Sequence, residues 1–308
     1  MKKVFIDGSA GTTGLRIHER LAERTDIELI TLSDDKRKDP AYRKEAINES
    51  DISFLCLPDD AARESVSFIE NDKTVIIDTS TAHRTLSDWA YGFPELSESH
   101  LEKIKCSKRI AVPGCHASGF IALVYPLIEK GILSKDALLS CFSLTGYSGG
   151  GKKMIGEYEE DKRDALLSAP RIYGLTQNHK HLKEMKAITG IDEFPVFVPV
   201  VAPFYSGMLV TVPLFSSQLD GTAEDIKKIY KEKYNWGMVS CKEKIDKDGF
   251  LSAAAHSLRD SMEITVSGND ERITLEAVYD NLGKGASGAA LECMNIVLGN
   301  DFSCGLTE

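Results

Sequence analysis

The chain has 308 residues, of which 42% are hydrophobic and 27% charged, and its formal net charge is −10. The composition is that of a globular enzyme of about two domains. The negative balance offers nothing to offset phosphate repulsion, which excludes nucleic acid and anionic membrane as partners. The seven cysteines are scattered with no C-x-x-C pair, so neither a disulfide framework nor a zinc or other metal site is signalled. The opening apolar run is too short for a signal peptide, and no stretch reaches the length of a membrane span. A reducing cytoplasm is the expected compartment.

In chain order, residues 3–7 read as a short buried strand that runs directly into Gly8-Ser9-Ala10-Gly11-Thr12-Thr13-Gly14. A helical pattern follows through Leu15, Ile17, His18 and Leu21. Further short apolar runs at 27–32, 52–57, 74–77 and 110–112 alternate with longer amphipathic ones, which implies parallel strands joined by helical crossovers. Polar residues cluster at the carboxyl ends of these strands, where an open α/β sheet binds ligands. The glycines permit a tight turn, let backbone N–H groups approach a pyrophosphate, and let helix pack on strand. Thr12 and Thr13 add hydroxyl donors.

The choice of dinucleotide stays open at this level. Asp34 stands where an acidic residue would hold a 2′-hydroxyl. Ser33 with Lys36, Arg37 and Lys38 could instead hold a 2′-phosphate.

The fifth run leads to Val112-Pro113-Gly114-Cys115-His116-Ala117-Ser118-Gly119. A thiol between a buried strand and the first turn of a helix meets N–H groups without internal partners and a partial positive charge. Cys115 is therefore the candidate nucleophile.

Beyond residue 133 the runs lengthen and become β-branched, at 138–145, 194–201, 208–215, 262–268 and 272–278. They predict a mostly antiparallel or mixed sheet backed by a few helices, and their continuous apolar character suggests cover on both faces, with a second subunit as a candidate for part of it. Helices are expected at 182–188, 222–233 and 285–298. The densest polar cluster, Asn178-His179-Lys180-His181, opens the first of these, and a histidine at a helix start can act as general acid and base near neutral pH. The chemistry of the pair does not distinguish His179 from His181. Two segments look built for anions: Gly146-Tyr147-Ser148-Gly149-Gly150-Gly151-Lys152 and Asp78-Thr79-Ser80-Thr81-Ala82-His83-Arg84.

Taken together with Tyr279-Asp280-Asn281-Leu282-Gly283-Lys284-Gly285-Ala286, these motifs span the chain. It resembles the N-acetyl-γ-glutamyl-phosphate reductases of arginine biosynthesis, in their shorter subtype. The resemblance implies an α/β chain: an N-terminal Rossmann-type NADP-binding domain at 1–114, rejoined by the helix at 285–308. An α+β catalytic and oligomerisation domain of the semialdehyde dehydrogenase type would occupy 115–284. It implies Cys115 as nucleophile and His181 as acid and base. Gly8, Ser9, Ala10, Gly11, Thr12, Thr13, Gly14, Ser33, Arg37, Ser148, Gly149, Gly150 and Asn281 would face NADP. Ser80, Arg84, His116, Lys152 and His179 would face an acyl phosphate substrate. A homo-oligomer is expected. His116 stands where longer relatives carry Tyr. The aspartate-semialdehyde dehydrogenases are the nearest alternative. A non-enzymatic NADP-binding redox sensor would have no need of Cys115 with His181, and a cysteine hydrolase no need of the glycine loop.

Overall fold

The computed structural model describes residues 1–308, which divide into two compact units. The first comprises Met1–Pro94, Glu98–Pro113 and Ala286–Leu306; the second comprises Glu95–Ser97, Gly114–Gly285 and Thr307–Glu308. No helix is long and apolar enough to cross a membrane.

The first unit runs β1 (Lys2–Asp7), α1 (Thr12–Ala22), β2 (Ile27–Ile30), α2 (Pro40–Glu49), β3 (Ile52–Leu55), α3 (Asp59–Ser67), β4 (Val75–Asp78), β5 (Ala90–Tyr91), α4 (Glu98–Cys106) and β6 (Arg109–Ala111). All six strands are parallel, in the order β2-β1-β3-β4-β6-β5. The two-residue β5 is not among the runs read from the sequence; its apolar stretch, Trp89-Ala90-Tyr91, is three residues long and ends at Gly92. The sheet is built outward from β1 in opposite directions, to β2 on one side and β3 on the other, so the topological switch point falls at its carboxyl end. Asp7 closes that strand, buried and held by Arg43 Nη2 at 3.1 Å and by Ser65 Oγ at 2.7 Å. Removing Arg43 would strand a buried carboxylate, a loss of about 3–5 kcal/mol. Apolar residues of α1, such as Ile17 and Leu21, join the strands and the C-terminal helix in one core.

The second unit contains α5 (Cys115–Glu129), β7 (Ser140–Gly146), α6 (Gly151–Glu159), β8 (Arg171–Ile172), α7 (His181–Thr189), β9 (Val196–Ala202), β10 (Met208–Phe215), α8 (Ala223–Lys233), β11 (Val239–Cys241), β12 (Met262–Gly268) and β13 (Arg272–Tyr279). Its sheet is mixed, ordered β11-β12-β13-β10-β7-β9-β8, with β7–β9 and β11–β12 parallel and the remaining pairs antiparallel. Helix α5 is apolar nearly all round and packs on β10 and β13, with α7 and α8 beside it. Helices cover only that face. Register places Phe142, Thr211 and Glu276 in line on the opposite face. There Phe142, Val196 and Phe215 stay exposed at 42%, 57% and 61%.

The C-terminal segment begins one turn earlier than a plain α-helix would. Gly283–Ser287 forms a π-turn, followed by α9 (Gly288–Leu298), which packs against α4 and β4 within the first unit.

Candidate active site

In the first unit the glycine loop is set by crowding at two of its glycines and not at the third. Gly8 has φ +89°, and a Cβ there would lie 2.3 Å from the Cys56 carbonyl oxygen. At Gly14 a Cβ would lie 2.4 Å from the Gly8 oxygen, so only glycine lets α1 approach β1 this closely. Gly11 meets nothing nearer than 3.4 Å. The protein itself does not require glycine there, whereas a ligand lying on the backbone would. Gly11 caps α1 without a side-chain hydrogen bond, which leaves the first N–H groups of the helix for an anion. Thr12 Oγ1 is buried with no hydrogen-bond partner. These residues fit a dinucleotide pyrophosphate.

Beside the loop lies a cavity of about 150 Å³, lined by Asp7, Gly8, Ser9, His18, Leu32 and Arg37 among others. Asp34 does not line it; its carboxylate is turned to solvent and accepts from Arg37 Nε at 2.7 Å. Ser33 shapes the turn through its carbonyl, which accepts the N–H groups of Lys36 and Arg37. Of the two charges left open by sequence, it is the guanidinium that reaches the cavity.

The Asp78–Arg84 segment is largely self-held. Ser80 Oγ donates to Asp78 at 2.7 Å and accepts the Ala82 N–H at 3.1 Å. His83 bonds Asp78 at 2.6 Å and stacks on Trp89. Arg84 donates to the carbonyls of Val112 and Thr79. Ser80, expected to meet substrate, therefore spends its hydroxyl on shaping this loop.

In the second unit Cys115 is the first residue of α5, partly exposed, with Gly114 as its cap. The Gly114 N–H donates to Glu184 Oε1 at 2.8 Å. Glu184 sits one turn past His181 on α7, so one buried carboxylate ties the start of the cysteine helix to the histidine helix. Gly285 lies against the thiol-bearing residue, where a Cβ would stand 3.0 Å from Cys115 Cβ. Burial pushes the Cys56 thiol up to about 12 and raises that of Cys141 still further.

Three imidazoles gather beside α5, with ring centroids 4.7 Å apart for His179 and His181 and 5.6 Å for His116 and His181. His179 Nδ1 accepts the His181 backbone N–H at 3.2 Å. Burial, with the Lys180 charge in support, lowers His179 to about 4. His116 is buried more deeply and is held down to about 3, by burial first and His179 second. Its Nδ1 pairs with Ser143 Oγ at 2.6 Å and its Nε2 with the Tyr173 hydroxyl at 2.5 Å. Both ring nitrogens of His116 thus have protein partners, and the ring is held neutral. Burial and then the Cys115 charge raise the Tyr173 phenol, so it stays protonated.

The glycine-rich turn before α6 is braced from within. Asn281 Nδ2 donates to Ser148 Oγ at 3.0 Å, and its Oδ1 accepts the Gly207 N–H at 2.9 Å. Gly149 passes close to that amide, Gly150 caps α6, and Lys152 is exposed in its first turn. The motifs gave no role to Glu184, Tyr173 or Tyr279, although Tyr279 opens the Tyr279–Ala286 string. Glu184 left a trace in the sequence as an acid three residues after His181 on one helix face.

Residues 3–104 match the family model for the semialdehyde dehydrogenase NAD-binding domain, and residues 115–281 match that for its dimerisation domain. The N-acetyl-gamma-glutamyl-phosphate reductase of Chelativorans sp. (strain BNC1) is 45% identical, over 96% of this chain and 98% of that protein. The protein of the same name from Trichormus variabilis is 43% identical, over 99% of both. The chain belongs to the N-acetyl-γ-glutamyl-phosphate reductase family. Among solved structures, the aspartate semialdehyde dehydrogenase from Francisella tularensis superposes with a TM-score of 0.72, covering 97% of this chain and 100% of that one. At 16% identity that likeness concerns the fold. This chain accordingly shares its fold with that dehydrogenase.

Proposed function

We propose that the protein reduces N-acetyl-γ-glutamyl phosphate to N-acetylglutamate 5-semialdehyde with release of phosphate, by way of a thioester on Cys115. The observation that carries this is the placement of Cys115 at the start of α5, where no side chain caps the helix, beside a histidine cluster in which His116 and His179 are held neutral. An acyl phosphate already carries its leaving group. Cys115 Sγ attacks the γ-carbonyl carbon, the bond from that carbon to the phosphate oxygen breaks, and phosphate leaves. The first-turn N–H groups of α5 face the developing oxyanion, a contribution of about 3 kcal/mol in comparable sites.

His181 takes the thiol proton on attack and returns it to sulfur when the tetrahedral adduct collapses to the aldehyde. His179 suits that role poorly, because a group with a value of about 4 holds no proton to return near neutral pH. NADPH, when bound, supplies the hydride that reduces the thioester carbonyl. The Gly8–Gly14 backbone would hold its pyrophosphate and Arg37 its 2′-phosphate, the latter because the guanidinium lines the adjoining cavity. Lys152 and the turn before it would meet the anionic end of the substrate.

A homo-oligomer formed through the uncovered sheet face is supported by the dimerisation-domain match and the exposed Phe142, Val196 and Phe215. Cytoplasm is the compartment that fits a biosynthetic reductase whose cysteines form no disulfide. The deciding assay runs the reaction in reverse, as phosphate-dependent reduction of NADP. Preference for N-acetylglutamate semialdehyde is expected; preference for aspartate semialdehyde would overturn the substrate assignment.

A further inference from the structure

The hydroxyl of Tyr279 stands within the hydrogen-bond ladder of the helix that carries the thiol. Tyr279 ends β13 and is fully buried. Its oxygen accepts the Gly119 N–H at 3.0 Å and donates to the Cys115 carbonyl at 2.5 Å. In a regular α-helix those two backbone groups, four residues apart, are each other's partners. A side chain inserted between such partners deforms the turn. The sequence makes room for it. At Gly119 a Cβ would lie 2.7 Å from the Tyr279 hydroxyl and 2.7 Å from Val210 Cγ2. Burial raises the phenol well above its ordinary value, so the proton that bonds Cys115 is permanently in place. Glu184 fixes the residue before Cys115, and Gly285 packs on Cys115 itself. The turn bearing the thiol is therefore held from three directions, and one of those holds enters the helix.

We propose that Tyr279 is a positioning residue for the reaction, whose hydroxyl bridges the Cys115–Gly119 rung and thereby sets the orientation of the Cys115 thiol. This rests on the reading of Cys115 as nucleophile. Tyr279→Phe removes one oxygen and leaves the Cys115 carbonyl and the Gly119 N–H to each other alone, without the side-chain bridge. The fold keeps its pairing while the first turn loses that hold.

The test measures steady-state kinetics, NADP affinity, thermal melting and the rate of Cys115 alkylation by iodoacetamide on Tyr279→Phe, with Cys115→Ser alongside. We expect kcat to fall roughly 10- to 100-fold, the cost of misplacing a reacting group by on the order of 1 Å. KM, NADP affinity and melting temperature stay near their original values, and alkylation slows. A wild-type kcat with unchanged alkylation overturns the proposal. So does a variant that fails to fold, or one whose melting temperature and KM change along with kcat, since the hydroxyl would then serve structure alone. Turnover by Cys115→Ser would instead refute the nucleophile, whereas an inert Cys115→Ser beside a fully active Tyr279→Phe refutes only the positioning role.

Discussion

The sites proposed for the two units are built of different material. In the first, the proposed binding surface is main chain: three glycines and the start of α1, which no side chain caps, with one guanidinium beside them. Its parts are neighbours in sequence, and the crowding at Gly8 and Gly14 shows why glycine is demanded there. In the second, the proposed chemistry rests on side chains from α5, α7, β7 and β13 that converge on one helix start. A backbone site tolerates many neighbouring substitutions and fails when a Cβ intrudes. A side-chain site fails when a single functional atom is lost. Electrostatics follows the same division, because burial in the second unit keeps His116, His179 and Tyr173 uncharged, so that proton transfer is left to few groups.

The sharpest break of this contrast is Cys115→Ser. Turnover should drop by on the order of 10⁴-fold or more, since a hydroxyl is a far poorer nucleophile than a thiolate. NADP binding, measured by fluorescence titration, should survive intact. Activity near wild type would remove the covalent step. His181→Asn comes next, with a loss of roughly 10²–10⁴-fold and disappearance of one limb of the pH–rate profile. His179→Asn should be milder, because that ring is held neutral and its Nδ1 serves the α7 backbone. An inert His179→Asn with an active His181→Asn would reverse the two roles.

On the backbone side, Gly11→Val should fold, because a Cβ at this position meets no atom closer than 3.4 Å. It should nevertheless weaken NADP binding about tenfold or more by filling the space the pyrophosphate needs. An unchanged dissociation constant in the folded variant would take the loop out of the site.

The smallest effect concerns the uncovered sheet face. Burial raises the Glu276 carboxyl to about 7, against weaker lowering by Thr274 and Ser267. A carboxyl raised in the folded state binds its proton more tightly there than in the unfolded chain. Ionising it therefore costs nothing below its ordinary value of 4.5, and the cost grows until about pH 7. Glu276→Gln should accordingly raise the melting temperature by a few degrees at pH 8 and leave it unchanged at pH 4. Equal shifts at both values would assign the effect to packing.

Much of the first unit could be read directly from residue order. A strand, three spaced glycines and a helix are contiguous, so local conformational demands and ligand demands coincide in one short string. The same holds for Cys115, whose place between strand and helix follows from the hydrophobic pattern, and for the histidine pair at the head of α7. Tertiary structure decided what long-range packing decides. It made His116 a buried, doubly bonded ring, and it brought Glu184 to the Gly114 N–H and Tyr279 into the first turn of α5. It also turned Arg37 toward the cavity and Asp34 away from it. These contacts join residues up to 164 positions apart, and no local periodicity encodes a hydrogen bond that exists only once a sheet has carried one strand end against a distant helix.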